Sequence, residues 1–180
     1  MSDLTANPTP ALLSADLIAL IDKGVSVIVS ACSLAMRPSI MRAVGSSITP
    51  DGSSVTVYLS RRQSRTLLQD IASTSRLAVV FSEPTSHRTL QLKARNARIR
   101  NAVPEDATVL ARYLTSMERE IAQVGFDAVL VQAMLSHHLD DVVAISFEPA
   151  EAFDQTPGPR AGAPLLQAAP NLAQEQSPGG

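Results

Sequence analysis

The sequence predicts an α+β, mainly β fold: an antiparallel sheet or barrel with helices on its periphery. Three observations predict it. The β-type segments are joined mostly by short turns and not by alternating crossover helices, which disfavours a doubly wound parallel sheet. Hydrophobic residues make up 45% of the 180, enough to bury a sizeable core in one domain. No run of 18 or more apolar residues is present to form a spanning helix.

The elements follow in order. Residues 14–23 read as a short helix, with Ser14 as N-cap, an apolar stripe of Leu17, Ile18 and Ile21, and Gly24 as terminator. Residues 25–33 are rich in β-branched side chains and read as a strand. Residues 39–49 and 54–60 read as two strands of one hairpin, joined at the turn Thr49-Pro50-Asp51-Gly52. Residues 63–73 place Leu67, Leu68 and Ile71 at helical spacing. Residues 77–81 are continuously apolar and suit a strand buried on both faces. After the break at Glu83-Pro84-Thr85, residues 87–93 alternate and continue as strand through Ile99. His87, Thr89, Gln91 and Lys93 share one face of it, and Arg88, Leu90 and Leu92 the other.

Pro104-Glu105-Asp106 opens a long helix with the stripe Leu110, Leu114, Met117, Ile121 and Val124, closed by Gly125. Asp127 caps a further helix with Leu130, Val131, Met134 and Leu135 inward, and residues 142–147 form a last strand. The composition then turns rich in Pro and Gly. We therefore place the domain at residues 1–154 and read residues 155–180 as an extended or disordered tail.

Aromatic residues are 3% and Trp is absent, which argues against a base-stacking platform and a nucleic-acid partner. Cys32 is the single cysteine, so an intrachain disulfide and a four-thiolate zinc site are excluded. Residues 1–10 hold Asp3 and no basic cluster ahead of an apolar run, so the expectation is a cytoplasmic protein without signal peptide or membrane partner. The formal charge of −2 hides a division. Residues 37–100 hold eleven basic side chains against three acids, a net of +8, whereas residues 101–180 hold three against eleven, a net of −8. That distribution suits either a bound anion on the middle segment or two segments that face each other.

Three features carry candidate chemistry. Ser60-Arg61-Arg62-Gln63-Ser64-Arg65-Thr66 lies where a strand ends and a helix begins, and Ser60 with Gln63 has capping-box spacing, so the helix is expected to start just after Ser60. A helix start with free N–H groups, arginines and hydroxyls suits a phosphate. Arg42 shares a strand face with Ile40 and Val44, a place where a guanidinium needs a carboxylate or phosphate partner. Thr89 and Gln91 form a polar row on a strand whose other face is apolar, facing either water or a ligand cleft.

The series Arg42-Ala43-Val44-Gly45, Val57-Tyr58-Leu59-Ser60 with Ser64-Arg65, and Arg88-Thr89-Leu90-Gln91-Leu92-Lys93 resembles the flavin-binding split barrels related to pyridoxamine 5′-phosphate oxidase. The resemblance covers residues 14–154, and the stretch from Phe153 to Pro159 is similar to the ending of an uncharacterised subgroup. It implies an antiparallel split β-barrel with peripheral helices, a homodimer with FMN at the interface, and oxidoreductase activity on an unknown small-molecule substrate. A deazaflavin or haem is the alternative cofactor, and the alternative function is a non-catalytic split barrel that binds haem or another ligand. By motif, Arg42 and the backbone at Ala43 and Val44 would meet the phosphate and ring edge, Ser60, Ser64 and Arg65 the phosphate, and Thr89 and Gln91 the ring. The resemblance assigns no catalytic residue. Ser47 stands where the true oxidase has a lysine, the phosphate motif reads Ser64-Arg65-Thr66 instead of Ser-Arg-Lys, and the oxidase's C-terminal Trp is missing. Oxidation of pyridoxamine phosphate is therefore not expected.

Other features read as ordinary. His137 and His138 diverge by about 100° on a helix and do not share a metal, so no metal site is expected. His87 lies beside a turn and reads as a surface residue, although it offers an imidazole to haem. Cys32 reads as a small core residue. The basic residues 93–100 read as a solvated edge or subunit contact.

Overall fold

The computed structural model describes residues 13–166. Ser14 takes extended backbone and its carbonyl accepts from Leu17 and Ile18, starting helix α1 (Ala15–Asp22). Gly24, at φ 80°, turns the chain into strand β1 (Ser26–Cys32). There follow β2 (Pro38–Arg42), β3 (Gly45–Ile48), β4 (Val55–Ser60), helix α2 (Arg65–Thr74), β5 (Leu77–Ser82), β6 (Thr89–Ala94) and β7 (Arg98–Asn101). Helices α3 (Asp106–Gln123) and α4 (Ala128–Met134) lead to β8 (Val142–Phe147), β9 (Glu151–Asp154) and β10 (Pro164–Leu166).

The strands form two antiparallel sheets, of order β10-β9-β6-β5-β1-β2 and β3-β4-β8-β7, which do not close into one barrel. Their facing sides make the core: Val27, Val29, Val79 and Phe81 from the larger sheet meet Val57, Leu59, Val143 and Ile145 from the smaller. Helix α2 adds Leu67 and Ile71, and α3 adds Tyr113 and Met117. The second face of the smaller sheet is also covered, where Leu110 of α3 packs with Val44, Tyr58, Val142 and Ala144.

Several expectations are corrected. The strand over residues 39–49 is two strands in different sheets, because the amide of Ala43 donates to Val27 of β1 while that of Val44 donates to Tyr58 of β4. The hairpin is therefore β3–β4 alone, closed at the expected turn by Gly52 N–H on Thr49 O at 2.9 Å. The strand beginning near residue 87 does not run through Ile99. It ends at Ala94, and the chain crosses to the smaller sheet as β7. β5 is buried on one face only, since Leu77, Val79 and Phe81 point inward and Ala78, Val80 and Ser82 are half-exposed. Cys32 is half-exposed at the end of β1 and not in the core. In α4 only Val131 and, just past its end, Leu135 are buried, while Leu130, Met134 and, at the end of α3, Val124 are exposed. Helix α4 ends at Met134, so His137 and His138 follow it as non-helical chain.

Residues 142–147 are not the last strand, because β9 and β10 follow them. The segment that follows residue 154 turns back at Gly162, whose N–H donates to Asp154 O, and pairs along β9. The rest of the tail, residues 167–180, lies outside the described residues.

The charge division is partly spent inside the fold, with Arg62 on Asp141, Arg95 on Glu151 and Arg100 on Asp106. The last is the best built. Both terminal guanidinium nitrogens of Arg100, Nη1 and Nη2, donate to the Asp106 carboxylate at 2.6 and 2.8 Å, joined by Tyr58 OH at 2.9 Å and Val103 N–H at 2.8 Å. These donors, Arg100 first, hold the Asp106 carboxyl down at about 2. A lowered carboxyl stabilises the fold above its unfolded value near 3.8, and that contribution disappears as pH falls through about 2. Asp106→Asn is expected to cost about 1–3 kcal/mol in urea unfolding at pH 7. The difference between variant and wild type should shrink as pH is lowered from 4 to 2.

Candidate functional site

The turn between β4 and α2 is built by a residue from far along the chain. Asp141 accepts from Ser60 Oγ at 2.7 Å and from Arg62 N–H at 3.3 Å, and its backbone oxygen accepts from Arg61 N–H at 2.7 Å. The Ser60 hydroxyl, followed by the Arg62 amide and the nearby Arg62 and Arg61 charges, lowers the Asp141 carboxyl below the usual range. This is why the expected capping box at Ser60 and Gln63 does not form. The Ser60 hydroxyl belongs to Asp141, and α2 begins at Arg65 with Ser64 at its N-cap position.

Ser64 makes no cap hydrogen bond with its side chain. It is 1% exposed, and its Oγ is one of three buried side-chain atoms without a partner among the described residues, the others being Ser46 Oγ and Tyr113 OH. A buried hydroxyl left unsatisfied costs about 1–3 kcal/mol, so such a group asks for a ligand. Ser64 also lines a cleft of about 470 Å³ between the start of α2 and β2, together with Arg62, Arg65, Thr66, Ser39 and Ile40. Arg65 is exposed, and among the described residues no carboxylate lies within 4 Å of it. The opposite wall is fixed by Ser39 Oγ donating to Asp70 of α2 at 2.6 Å. A helix N-terminus, a guanidinium and an orphaned hydroxyl thus share one cleft that fits a phosphate.

The other candidates lie elsewhere, on the outer face of the larger sheet. Register places Arg42, Ile28, Val80 and Gln91 in a single cross-strand row. Arg42 and Gln91 are then about 14 Å apart, three strand spacings. Among the described residues Arg42 has no carboxylate partner; its guanidinium donates to Ser26 Oγ at 2.7 Å. Thr89 Oγ1 pairs with Ser82 Oγ at 2.8 Å and donates to His87 O, and Gln91 Oε1 accepts from Gln155 Nε2 at 3.4 Å. The row is half-exposed, as are the apolar side chains between its polar ends. Ala43 and Val44 are buried, and both of their N–H groups are spent within the chain. They shape the corner beside Arg42 and have no amide hydrogen to give a ligand.

The structure therefore brings Ser64 and Arg65 together, and separately Arg42, Thr89 and Gln91, without joining the two sets in one cleft. Sequence reasoning missed Asp141, Ser26 and Gln155. Asp141 lies about 80 residues from the turn it builds, and Ser26 becomes a partner of Arg42 only once the β1–β2 register is known. Among the described residues no group of three or more His, Cys, Asp or Glu side chains could hold a metal. No described helix is long and apolar enough to cross a membrane.

No family model matches the sequence, and no curated protein matches it. Solved structures do match. A candidate pyridoxamine 5′-phosphate oxidase from Lactobacillus delbrueckii is 14% identical over 85% of this chain and 99% of its own, with a TM-score of 0.51. HupZ of Group A Streptococcus is 13% identical over 83% and 99%, with a TM-score of 0.50. An F420 reductase is 12% identical over 74% and 93%, also with a TM-score of 0.50. The structural neighbours are split-barrel proteins of the pyridoxamine 5′-phosphate oxidase type, and at these identities the likeness establishes the shared fold.

Ser64 yields a direct prediction. Ser64→Ala removes the orphaned hydroxyl without breaking a hydrogen bond. It should leave the ligand-free protein equally stable, or more stable by about 1 kcal/mol, in chemical denaturation. A loss of more than that would show a hidden partner for Ser64.

Proposed function

We propose that the chain binds FMN between two copies of itself and works as an oxidoreductase on a small molecule. The observation that carries this reading is the orphaned Ser64 hydroxyl at the start of α2, in one cleft with Arg65. The Ser64 hydroxyl, the Arg65 guanidinium and the first-turn N–H groups of α2 would hold the phosphate, and Ser60 would act through Asp141 by fixing the turn. A bound flavin supplies the electron transfer, and the protein supplies orientation and electrostatics. Arg42, Thr89 and Gln91 would meet the ring from the outer sheet face. Because one chain does not bring that row to its own cleft, the reading calls for a homodimer in which each face completes the partner's site.

Two features support other ligands. An F420 reductase among the structural neighbours makes a deazaflavin with a phosphate the second choice of cofactor. His87, exposed at φ 60° in the β5–β6 turn, offers an imidazole to haem, the basis for a non-catalytic alternative.

The visible spectrum of the purified protein separates these readings. Flavin bands support the proposal, and a Soret band supports the alternative. A colourless protein that takes up no added FMN rejects the flavin assignment. Arg65→Ala should weaken FMN binding by about 1–3 kcal/mol in a fluorescence titration, the scale of one charge-assisted contact. Its melting temperature without FMN should match wild type, because Arg65 is exposed.

A further inference from the structure

A second cleft, of about 740 Å³, lies beyond the C-terminal end of α2 and shares only Pro38 with the phosphate cleft. Its volume falls in the range of small-molecule sites, roughly 300–1,000 Å³. Its apolar wall includes Ala31, Leu77 and Ala78, together with Leu34 and Met36 from the turn between β1 and β2. Leu34 is 82% exposed and Met36 77%.

That turn is not a loose tip. Ser33 N–H donates to Arg37 O and Met36 N–H to Ser33 O, both at 2.9 Å, and Arg37 N–H donates to Ser33 Oγ at 3.1 Å. The network holds Met36 at φ 59°, a left-handed backbone that is unfavourable for a residue with a side chain. Two large apolar side chains are thus fixed in water by a strained, hydrogen-bonded turn.

The rim is cationic. Arg76, Lys93 and Arg95 line the cleft with a single acid, Glu151, which lies 3.9 Å from Arg95. Among the described residues neither Arg76 nor Lys93 has a carboxylate within 4 Å. Lys93 Nζ instead sits 4.5 Å from the centre of the Phe153 ring, which steadies the ammonium without neutralising it.

We propose that this cleft binds a small amphipathic anion, an acyl or aryl carboxylate. The apolar body lies against Leu34, Met36 and Leu77, and the carboxylate meets Lys93 and Arg76. Charge complementarity selects this occupant over a neutral apolar molecule. Lys93 and Ala78 are the next same-face pair after Gln91 and Val80, so the cleft borders the sheet face that the flavin reading gives to the partner copy.

The test is calorimetric titration of the full chain with decanoate and, separately, with decanol. Decanoate should bind saturably, with decanol at least roughly tenfold weaker, the scale of one charged contact. Lys93→Ala should weaken decanoate by a similar factor, and Met36→Glu, at an exposed position that leaves the core untouched, should abolish it. Sedimentation should give wild type and Met36→Glu the same mass. Non-saturable uptake, equal affinity for decanol, or undiminished binding by Met36→Glu overturns the proposal. A change from dimer to monomer in Met36→Glu also overturns it, because the turn would then belong to a contact between copies.

Discussion

Two consecutive amides tie the two sheets together. Ala43 donates to Val27 in the larger sheet, and Val44 donates to Tyr58 in the smaller. The chain makes this corner without a break, and the next residue shows how tight it is. A Cβ on Gly45 would stand 2.7 Å from Leu110 Cδ2 and 3.3 Å from Tyr58 Cδ2. With the corner fixed, β2 becomes the edge of the larger sheet and carries Arg42 on its outer face. The start of α2 then lies against the same edge, which creates the cleft below Ser64.

The parts of the fold legible in the sequence were those set by local pattern. Helix α1 announced itself through Ser14 and Gly24, and the β3–β4 turn through Pro50, Asp51 and Gly52. The stripe of α3 was legible through Leu110 and Met117. The sheet changes were not, because a strand that switches partners keeps the same β-branched, extended character on both sides. At Ala43 and Val44 only the following glycine marks the corner. At Arg95-Asn96-Ala97 the asparagine is the one turn signal. Burial on two faces also misled, since residues 77–81 are apolar throughout yet Ala78 and Val80 lie on a half-open face. The seven residues of α4 touch the core through Val131, so apolar positions beside it stay in water. β9 and β10 are too short for periodicity to reveal.

The candidate site divides along the same line. Ser64 and Arg65 are neighbours in sequence at a helix start, so local chemistry was enough to single them out. Arg42 comes from β2 and Thr89 and Gln91 from β6, and their common face follows from register. The sequence motif suggested that they and the phosphate residues surround one ligand, whereas a single chain presents them on separate surfaces. The charge excess of the middle segment is also less free than its sum implies, because Arg62, Arg88, Arg95 and Arg100 already have carboxylates. Among the described residues Arg42 and Arg65 have no carboxylate partner, and they are the two arginines that the proposed site uses.

We propose that the start of α2 recognises a phosphate. Comparison of FMN with riboflavin, which has the same ring and no phosphate, tests it most directly. In parallel titrations of the wild-type protein, FMN should bind at least roughly a hundredfold more tightly, the combined scale of the charge-assisted contacts at Ser64, Arg65 and the helix start. Equal affinity for the two flavins would contradict the account.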